Sequence, residues 1–271
     1  MTMDMLPSVT SGDETAADLW ARWRPASPAR IGLGRVGAGM PTAEVLRFGW
    51  AHAMARDAIH VPLDVADLCR QLASQGRSVL HAHSAAADRM TYLRRPDLGR
   101  RLAPDSAAQL QAQLGGGDCD LCVVVADGLS SLAVARHAAP LLQALQPLLA
   151  PGLRMAPVVV ATQSRVALAD EVGEICGARL ALILIGERPG LSSPDSLGVY
   201  LTHAPRRGRS DAERNCISNV RPEGLGYGAA AHKLAWLIGQ ALRRGYTGVA
   251  LKDESGLAEV GDAHAPRLAR S

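Results

Sequence analysis

The apolar positions change their period near the middle of the chain. Between residues 31 and 114 they recur at helical spacing: Pro41 and Thr42 suit a helix start, and Val45, Leu46, Trp50, Met54 and Ile59 follow on helical turns. The spacing predicts a second helix over 65–74, and a third that starts at Pro104-Asp105-Ser106 and stops at Gly115-Gly116-Gly117. Beyond the triple glycine, short unbroken apolar runs take over at 121–126, 156–161 and 180–185. Runs rich in Val, Ile and Leu with no polar alternation read as strands covered on both faces. Helical patterns at 132–149 and 165–176 separate them, and 227–242 supplies a last helix before Val249, Ala250 and Leu251. Strand, helix, strand, helix, strand predicts a parallel sheet with right-handed crossovers. The expected fold is therefore α/β: a Rossmann-like parallel sheet domain over 116–271, preceded by a smaller, mainly helical N-terminal domain over 29–115. Residues 1–28 read as a flexible leader that orders only against a partner.

Composition narrows the function classes. With 271 residues, 48% of them hydrophobic, the chain can bury one large core or two modest ones. A formal charge of +3 is too small to imply a nucleic-acid or membrane surface. The cations are nearly all arginine and aromatic residues make up only 3%, so stacking platforms for single-stranded nucleic acid are hard to build. Five widely spread cysteines read as buried thiols in a reducing compartment. No apolar run is long enough to span a bilayer, and Met1-Thr2-Met3-Asp4-Met5 lacks a basic region followed by an apolar one. A soluble, cytoplasmic protein is expected.

Ligands on open α/β sheets sit at the C-terminal ends of the strands, and those ends here carry Asp127-Gly128, Thr162-Gln163 and Glu187-Arg188. An acidic side chain there either meets a ligand or caps the next helix. The loops that follow, at 186–198 and 210–227, are dense in Gly, Pro and charged residues, and Ser210 with Glu213 has capping-box spacing. Other motifs favour plainer readings. Gly32-Leu33-Gly34-Arg35-Val36-Gly37 spells a dinucleotide fingerprint, yet no strand precedes it, so it reads as a turn before the helix at Pro41. Cys119 and Cys122, three apart on a strand, should point to opposite faces and share no metal. His81 and His83 lack a carboxylate or thiol partner at ligand spacing. Arg94-Arg95 and Arg100-Arg101 flank a turn-like Pro96-Asp97-Leu98-Gly99, and suit either a solvated loop or a grip on anionic groups.

No triad-like order, phosphate loop or cluster of acid, base and nucleophile emerges. Two classes stay open on the residues themselves: an enzyme working alone, and a cofactor-binding subunit of a larger enzyme.

Longer stretches carry a resemblance. Arg30-Ile31-Gly32-Leu33-Gly34-Arg35-Val36-Gly37, Pro41-Thr42-Ala43-Glu44-Val45-Leu46-Arg47-Phe48, Tyr92-Leu93-Arg94-Arg95-Pro96-Asp97-Leu98-Gly99, Ile185-Gly186-Glu187-Arg188-Pro189-Gly190 and Asn215-Cys216-Ile217-Ser218-Asn219-Val220-Arg221 closely resemble the light (small) subunit of ethanolamine ammonia-lyase. The resemblance runs in order from about residue 28 to 255. It implies a hetero-oligomer with a large (heavy) subunit that binds most of the substrate ethanolamine, and adenosylcobalamin held between the two chains. The implied activity is a carbon–nitrogen lyase, active only with the large subunit, converting ethanolamine to acetaldehyde and ammonia by a radical mechanism. Enclosure in a bacterial microcompartment is typical of some members.

Carried over residue by residue, the family's cobalamin contacts fall on Val166, Glu187 and Cys216. The resemblance assigns this chain no catalytic residue and no metal ligand, and makes residues 116–271 the cobalamin-binding domain. Val166 opens the helix after the second strand, and Glu187 ends the third strand, where it can accept hydrogen bonds. Cys216 is expected in a loop packed nearby, as a backbone contact or a small buried filler. Cobalamin proteins that replace the lower base with a protein imidazole carry Asp-x-His-x-x-Gly after the first strand, whereas Asp127-Gly128-Leu129-Ser130-Ser131 has no His. Asp262-Ala263-His264 starts that pattern without its Gly. The coenzyme is therefore expected to keep its own base on cobalt. A non-catalytic corrinoid or nucleotide carrier is the alternative reading.

Overall fold

The computed structural model describes residues 20, 23–26 and 29–256. The leader, apart from those five residues, and the Asp262-Ala263-His264 motif lie outside the described residues. Two compact units meet in sequence between Met54 and Ala55. In the first, Val36 and Gly39 exchange N–H···O bonds of 2.9 and 3.1 Å around a tight turn, so the glycine-rich run is a turn with no strand before it among the described residues. Helix α1 (Thr42–His60) follows. Its apolar residues are spread around the axis instead of forming one stripe. Val45, Leu46, Phe48 and Trp50 are consequently exposed, and Ala58 is buried.

The second unit holds a six-stranded sheet. In chain order its elements are α2 (Val65–Ser74), β1 (Val79–His83), α3 (Arg89–Arg94), α4 (Pro104–Leu114), β2 (Cys119–Ala126), α5 (Ser131–Leu145), β3 (Val158–Thr162), α6 (Leu168–Ile175), β4 (Ala178–Gly186), β5 (Leu197–His203), β6 (Arg214–Val220) and α7 (Tyr227–Arg244). The sheet order is β1-β3-β2-β4-β5-β6. The first four strands run parallel, and β5 and β6 extend the sheet antiparallel. The α/β class and the three apolar strands are as the pattern predicted. The helical reading of 31–114 missed β1, whose Val-Leu-His-Ala-His lies at the sheet edge, largely half-buried, and so lacks a continuous apolar run. No helix among the described residues is long and apolar enough to cross a membrane.

Alternation across the strands builds two cores. Leu121, Val123 and Val125 of β2 join Leu180, Leu182 and Leu184 of β4 beneath α5 and α7, while Val124, Ala126, Ala181, Ile183 and Ile185 face Leu110 of α4 and Val172 of α6. Each such Leu, Val or Ile, wholly withdrawn from water, contributes about 1.5–3 kcal/mol. Double coverage is the reason these strands read as unbroken apolar runs. Cys119 and Cys122 do not diverge as expected. The N–H groups of Asp120 and Leu121 both bond to the Arg154 carbonyl (2.8 and 3.2 Å), a local irregularity, and both thiols end beside Cys176.

A buried ion pair ties the antiparallel extension to the helices. Arg214, at the start of β6, donates to both carboxylate oxygens of Asp170 on α6 (2.6 and 2.7 Å) and to Thr202 Oγ1 on β5 (2.9 Å), with both ionic side chains 1% exposed. Removing one member strands a buried charge. Arg214→Met should lower the unfolding free energy of the full chain by about 3–5 kcal/mol, and the double variant Asp170→Leu/Arg214→Met should lose much less. Urea unfolding midpoints check this; equal losses in single and double variants would contradict it.

Candidate functional site

In β2, β3 and β4, Ala126, Ala161 and Ile185 lie in register, so the loops that follow emerge side by side. Asp127 joins two of them. Its carboxylate, 4% exposed, accepts the backbone N–H groups of Gln163 (2.9 Å) and Ser164 (3.0 Å). Gln163 thereby sits at φ 54°, a left-handed conformation a non-glycine residue rarely adopts unaided. Arg89 of α3 reaches the same carboxylate at 3.6 Å and donates to the carbonyls of Gly128 (2.8 Å) and Ile59 (2.7 Å). Burial pushes the Asp127 carboxyl upward, a tendency opposed by the Ser164 and Gln163 N–H groups and by Arg89. Asp127 therefore shapes the site from beneath.

The β4 end closes on the same centre. Leu129 donates its N–H to the Gly186 carbonyl (2.9 Å), and a Cβ added to Gly186 would stand 2.0 Å from the Ser130 carbonyl oxygen. Only glycine permits this approach. A hollow of about 410 Å³ lies above, half open to solvent and lined in part by Gly128, Leu129, Arg165, Val166, Glu187 and Tyr200. A second, of about 390 Å³, shares Arg165, Val166 and Tyr200 and adds Pro96, Arg100 and Asp211.

Two of the three expected contacts, Val166 and Glu187, thus meet in one hollow. Val166 lies in the turn that enters α6. Glu187 is held from two sides: Oε2 accepts the Asn219 N–H (3.2 Å) and the Ser196 hydroxyl, and its own N–H donates to the Ser196 carbonyl (2.9 Å). Gly198 leaves the space this side chain occupies, since a Cβ there would stand 3.0 Å from Glu187 Oε1 and 3.3 Å from the Tyr200 ring. Cys216 is neither in a loop nor a buried filler. It is an exposed residue of β6, its thiol 3.3 Å from Ser218 Oγ, while its neighbour Ile217 turns inward. Its cross-strand partner is Tyr200, which brings it to the rim of the hollow. Burial, and then the neighbouring Cys216 thiol, push the Tyr200 hydroxyl upward.

Tyr92, Arg165 and Tyr200 belong to the site and were not anticipated. Tyr200 was within reach: apolar Leu197, Val199 and Leu201 alternate with Gly198, Tyr200 and Thr202, which marks a strand showing its second set to the other face. Tyr92 and Arg165 gave no such signal, because they meet only through tertiary folding. The buried Tyr92 ring has the guanidinium groups of Arg165 and Arg89 at 4.3 and 4.8 Å, and its hydroxyl donates to the Ser164 carbonyl (3.1 Å). Burial pushes that hydroxyl up to about 12. Of the arginine pairs, Arg95 and Arg101 bind Asp97, while Arg100 faces the second hollow. His81 is drawn downward by burial and by His83, whose Nδ1 lies 2.6 Å from the Ser84 carbonyl. Among the described residues no group of three His, Cys, Asp or Glu side chains converges as metal ligands would.

Asp127→Ala should leave the buried Ser164 N–H without an acceptor, at about 1–3 kcal/mol, and the half-buried Gln163 N–H at less, while Asp127→Asn should cost less because one amide oxygen remains. Hydrogen exchange at Gln163 and Ser164 should accelerate in both. Unchanged protection would remove Asp127 from its place as organiser of the loop.

Comparison with known proteins bears on what this hollow serves. The model of the family described as ethanolamine ammonia-lyase light chain (EutC) matches residues 17–252. A protein of Azotobacter vinelandii named ethanolamine ammonia-lyase small subunit is 58% identical over 248 residues, covering 90% of this chain and 92% of that one. Small subunits of the same name from Xanthomonas campestris (56% identical, 88% and 89% covered) and Pseudomonas aeruginosa (54%, 94% and 94%) are similarly alike.

Proposed function

The chain belongs to the ethanolamine ammonia-lyase light-chain family, and we propose that it is the small subunit of a coenzyme B12 lyase, forming one wall of an adenosylcobalamin site completed by a large subunit. The lyase would convert ethanolamine to acetaldehyde and ammonia. The observation that carries this reading is the half-open hollow at the ends of β2 and β4, where Val166 and Glu187 come together beside Tyr200 and Cys216.

The lining suits a large, flat group with an apolar body and an amide-bearing edge. Leu129 and Val166 offer aliphatic surface, Gly128 and Gly186 let backbone approach closely, and Glu187 has a carboxylate to accept hydrogen bonds from amides or ribose hydroxyls. When bound, the coenzyme supplies the radical chemistry; the protein positions it and excludes water. Two hollows of this size, open on one side, are too shallow to bury such a ligand, as expected of half a clamp. The hollow offers no nucleophile with an attendant base among the described residues, which favours a substrate pocket in the partner. The exposed Val45, Leu46, Phe48 and Trp50 of α1 are apolar surface of the kind that assembly buries.

Acetaldehyde should form from ethanolamine only when this chain, the large subunit and adenosylcobalamin are present together, with each chain alone inactive. No activity in a verified, folded complex would end the lyase reading. In that complex Glu187→Ala should raise the coenzyme concentration for half-maximal activity about tenfold, with kcat little changed. No histidine lines either hollow among the described residues. The electron paramagnetic resonance spectrum of the Co(II) form in the complex should show the coenzyme's own base nitrogen and be unaltered when this chain is labelled with ¹⁵N-histidine. A histidine coupling would show that the protein replaces that base.

A further inference from the structure

Arg165 stands at the junction of the two hollows and has no acid to answer it. No carboxylate lies within ion-pair distance of its guanidinium among the described residues, and its Nε is buried without a hydrogen-bond partner. The neighbouring charges are already matched. Asp127 is taken up by Arg89 and two backbone N–H groups, Asp211 by Arg214 at 3.2 Å, and Glu187 Oε2 by Ser196 and Asn219. Two further arginines, Arg100 on the second hollow and Arg188 on the first, are exposed and likewise carry no ion pair among the described residues.

The position of Arg165 is built. Its backbone N–H donates to the Gly99 carbonyl (2.8 Å), and its guanidinium stacks on the Tyr92 ring, which is itself fixed through its hydroxyl to the Ser164 carbonyl. Any side chain at Gly99 would collide with it, a Cβ there standing 2.9 Å from Arg165 Cγ. A guanidinium held by stacking, with no carboxylate in reach, leaves its charge to be met by an anion entering from the hollow. Planar, paired N–H donors match the oxygens of a phosphate, and the flanking arginines add long-range attraction.

We infer that Arg165, with Arg100 and Arg188 at the rim, is an oxyanion site for a phosphate group at the junction of the two hollows. Two sources share that chemistry: the phosphodiester of the coenzyme's nucleotide loop, and free inorganic phosphate. The first rests on the function proposed above; the second does not.

The test uses the full chain in complex with the large subunit, and two corrinoids that differ only by a phosphate: adenosylcobinamide and adenosylcobinamide phosphate. Native complex should bind the phosphate-bearing one about tenfold to a hundredfold more tightly, and Arg165→Met should abolish that preference, the ratio of the two affinities falling to about one. Arg165→Lys, which retains charge but not the fork, should keep part of it, and Arg100→Ala and Arg188→Ala should weaken it by a few-fold. In parallel, ³¹P line broadening of inorganic phosphate by the full chain alone, present in the native chain and lost in Arg165→Met, with no corrinoid preference, would assign the site to free phosphate. If adenosylcobalamin itself, run as a control, does not bind the complex, the cobalamin reading fails while the phosphate arm still decides on Arg165. A corrinoid preference and a phosphate signal both unchanged in a folded Arg165→Met chain, or both absent in the native protein, would overturn the inference.

Discussion

A buried carboxylate that bonds two successive N–H groups of the next loop constrains everything above it. Asp127 leaves β2 where water is excluded, and its two oxygens are met by Gln163 and Ser164. Those two bonds bend Gln163 into the left-handed region, and the bend aims Arg165 and Val166 at the hollow. Arg89 balances the charge and fastens Gly128 and Ile59 to the same point. The strands supply a level platform, yet the direction of each loop comes from one acid. The arrangement suits a binding surface, since groups that must meet a ligand without reorganising need support below them.

The second wall of the site depends on the antiparallel extension. Had the sheet ended at β4, Glu187 would stand at an edge with nothing beside it. β5 and β6 place Tyr200, Cys216 and the Asn219 N–H there, and the Arg214–Asp170 pair holds β6 against α6. Burying that pair is expensive, and a tight apolar contact could give equal stability. What the ionic pair adds is direction: a bidentate fork with a third bond to Thr202 admits one registry of β6 on the helix layer.

The α/β class and the strands 121–126, 156–161 and 180–185 were legible because burial on both faces leaves an unmistakable apolar run. β1 and β6 escaped because edge and half-covered strands mix polar with apolar residues, so they resemble loops. That Val166 and Glu187 lie near the ends of the central strands was legible, because each follows an unbroken apolar run. Cys216 was assigned to the right neighbourhood but the wrong surroundings, since alternation along an unrecognised strand decides which way a side chain points. Asp127 was legible as an acid at a strand end. Its employment, holding a loop instead of touching a ligand, depends on Gln163 and Ser164 more than thirty positions away, which no local pattern conveys. Tyr92, which follows β1, and Arg165, which follows β3, form a stacked pair above neighbouring strands that lie far apart in sequence, and that contact exists only in three dimensions.

A hollow with a single wall has a thermodynamic consequence. In the assembly proposed here, the ligand lies between this surface and the partner chain, so each tightens the binding of the other by the same factor. The small molecule then acts as mortar between subunits, and dilution that separates the chains also strips it away. Retention of the ligand would become a property of the local concentration of protein, and a crowded enclosure would preserve it without any change in a single contact.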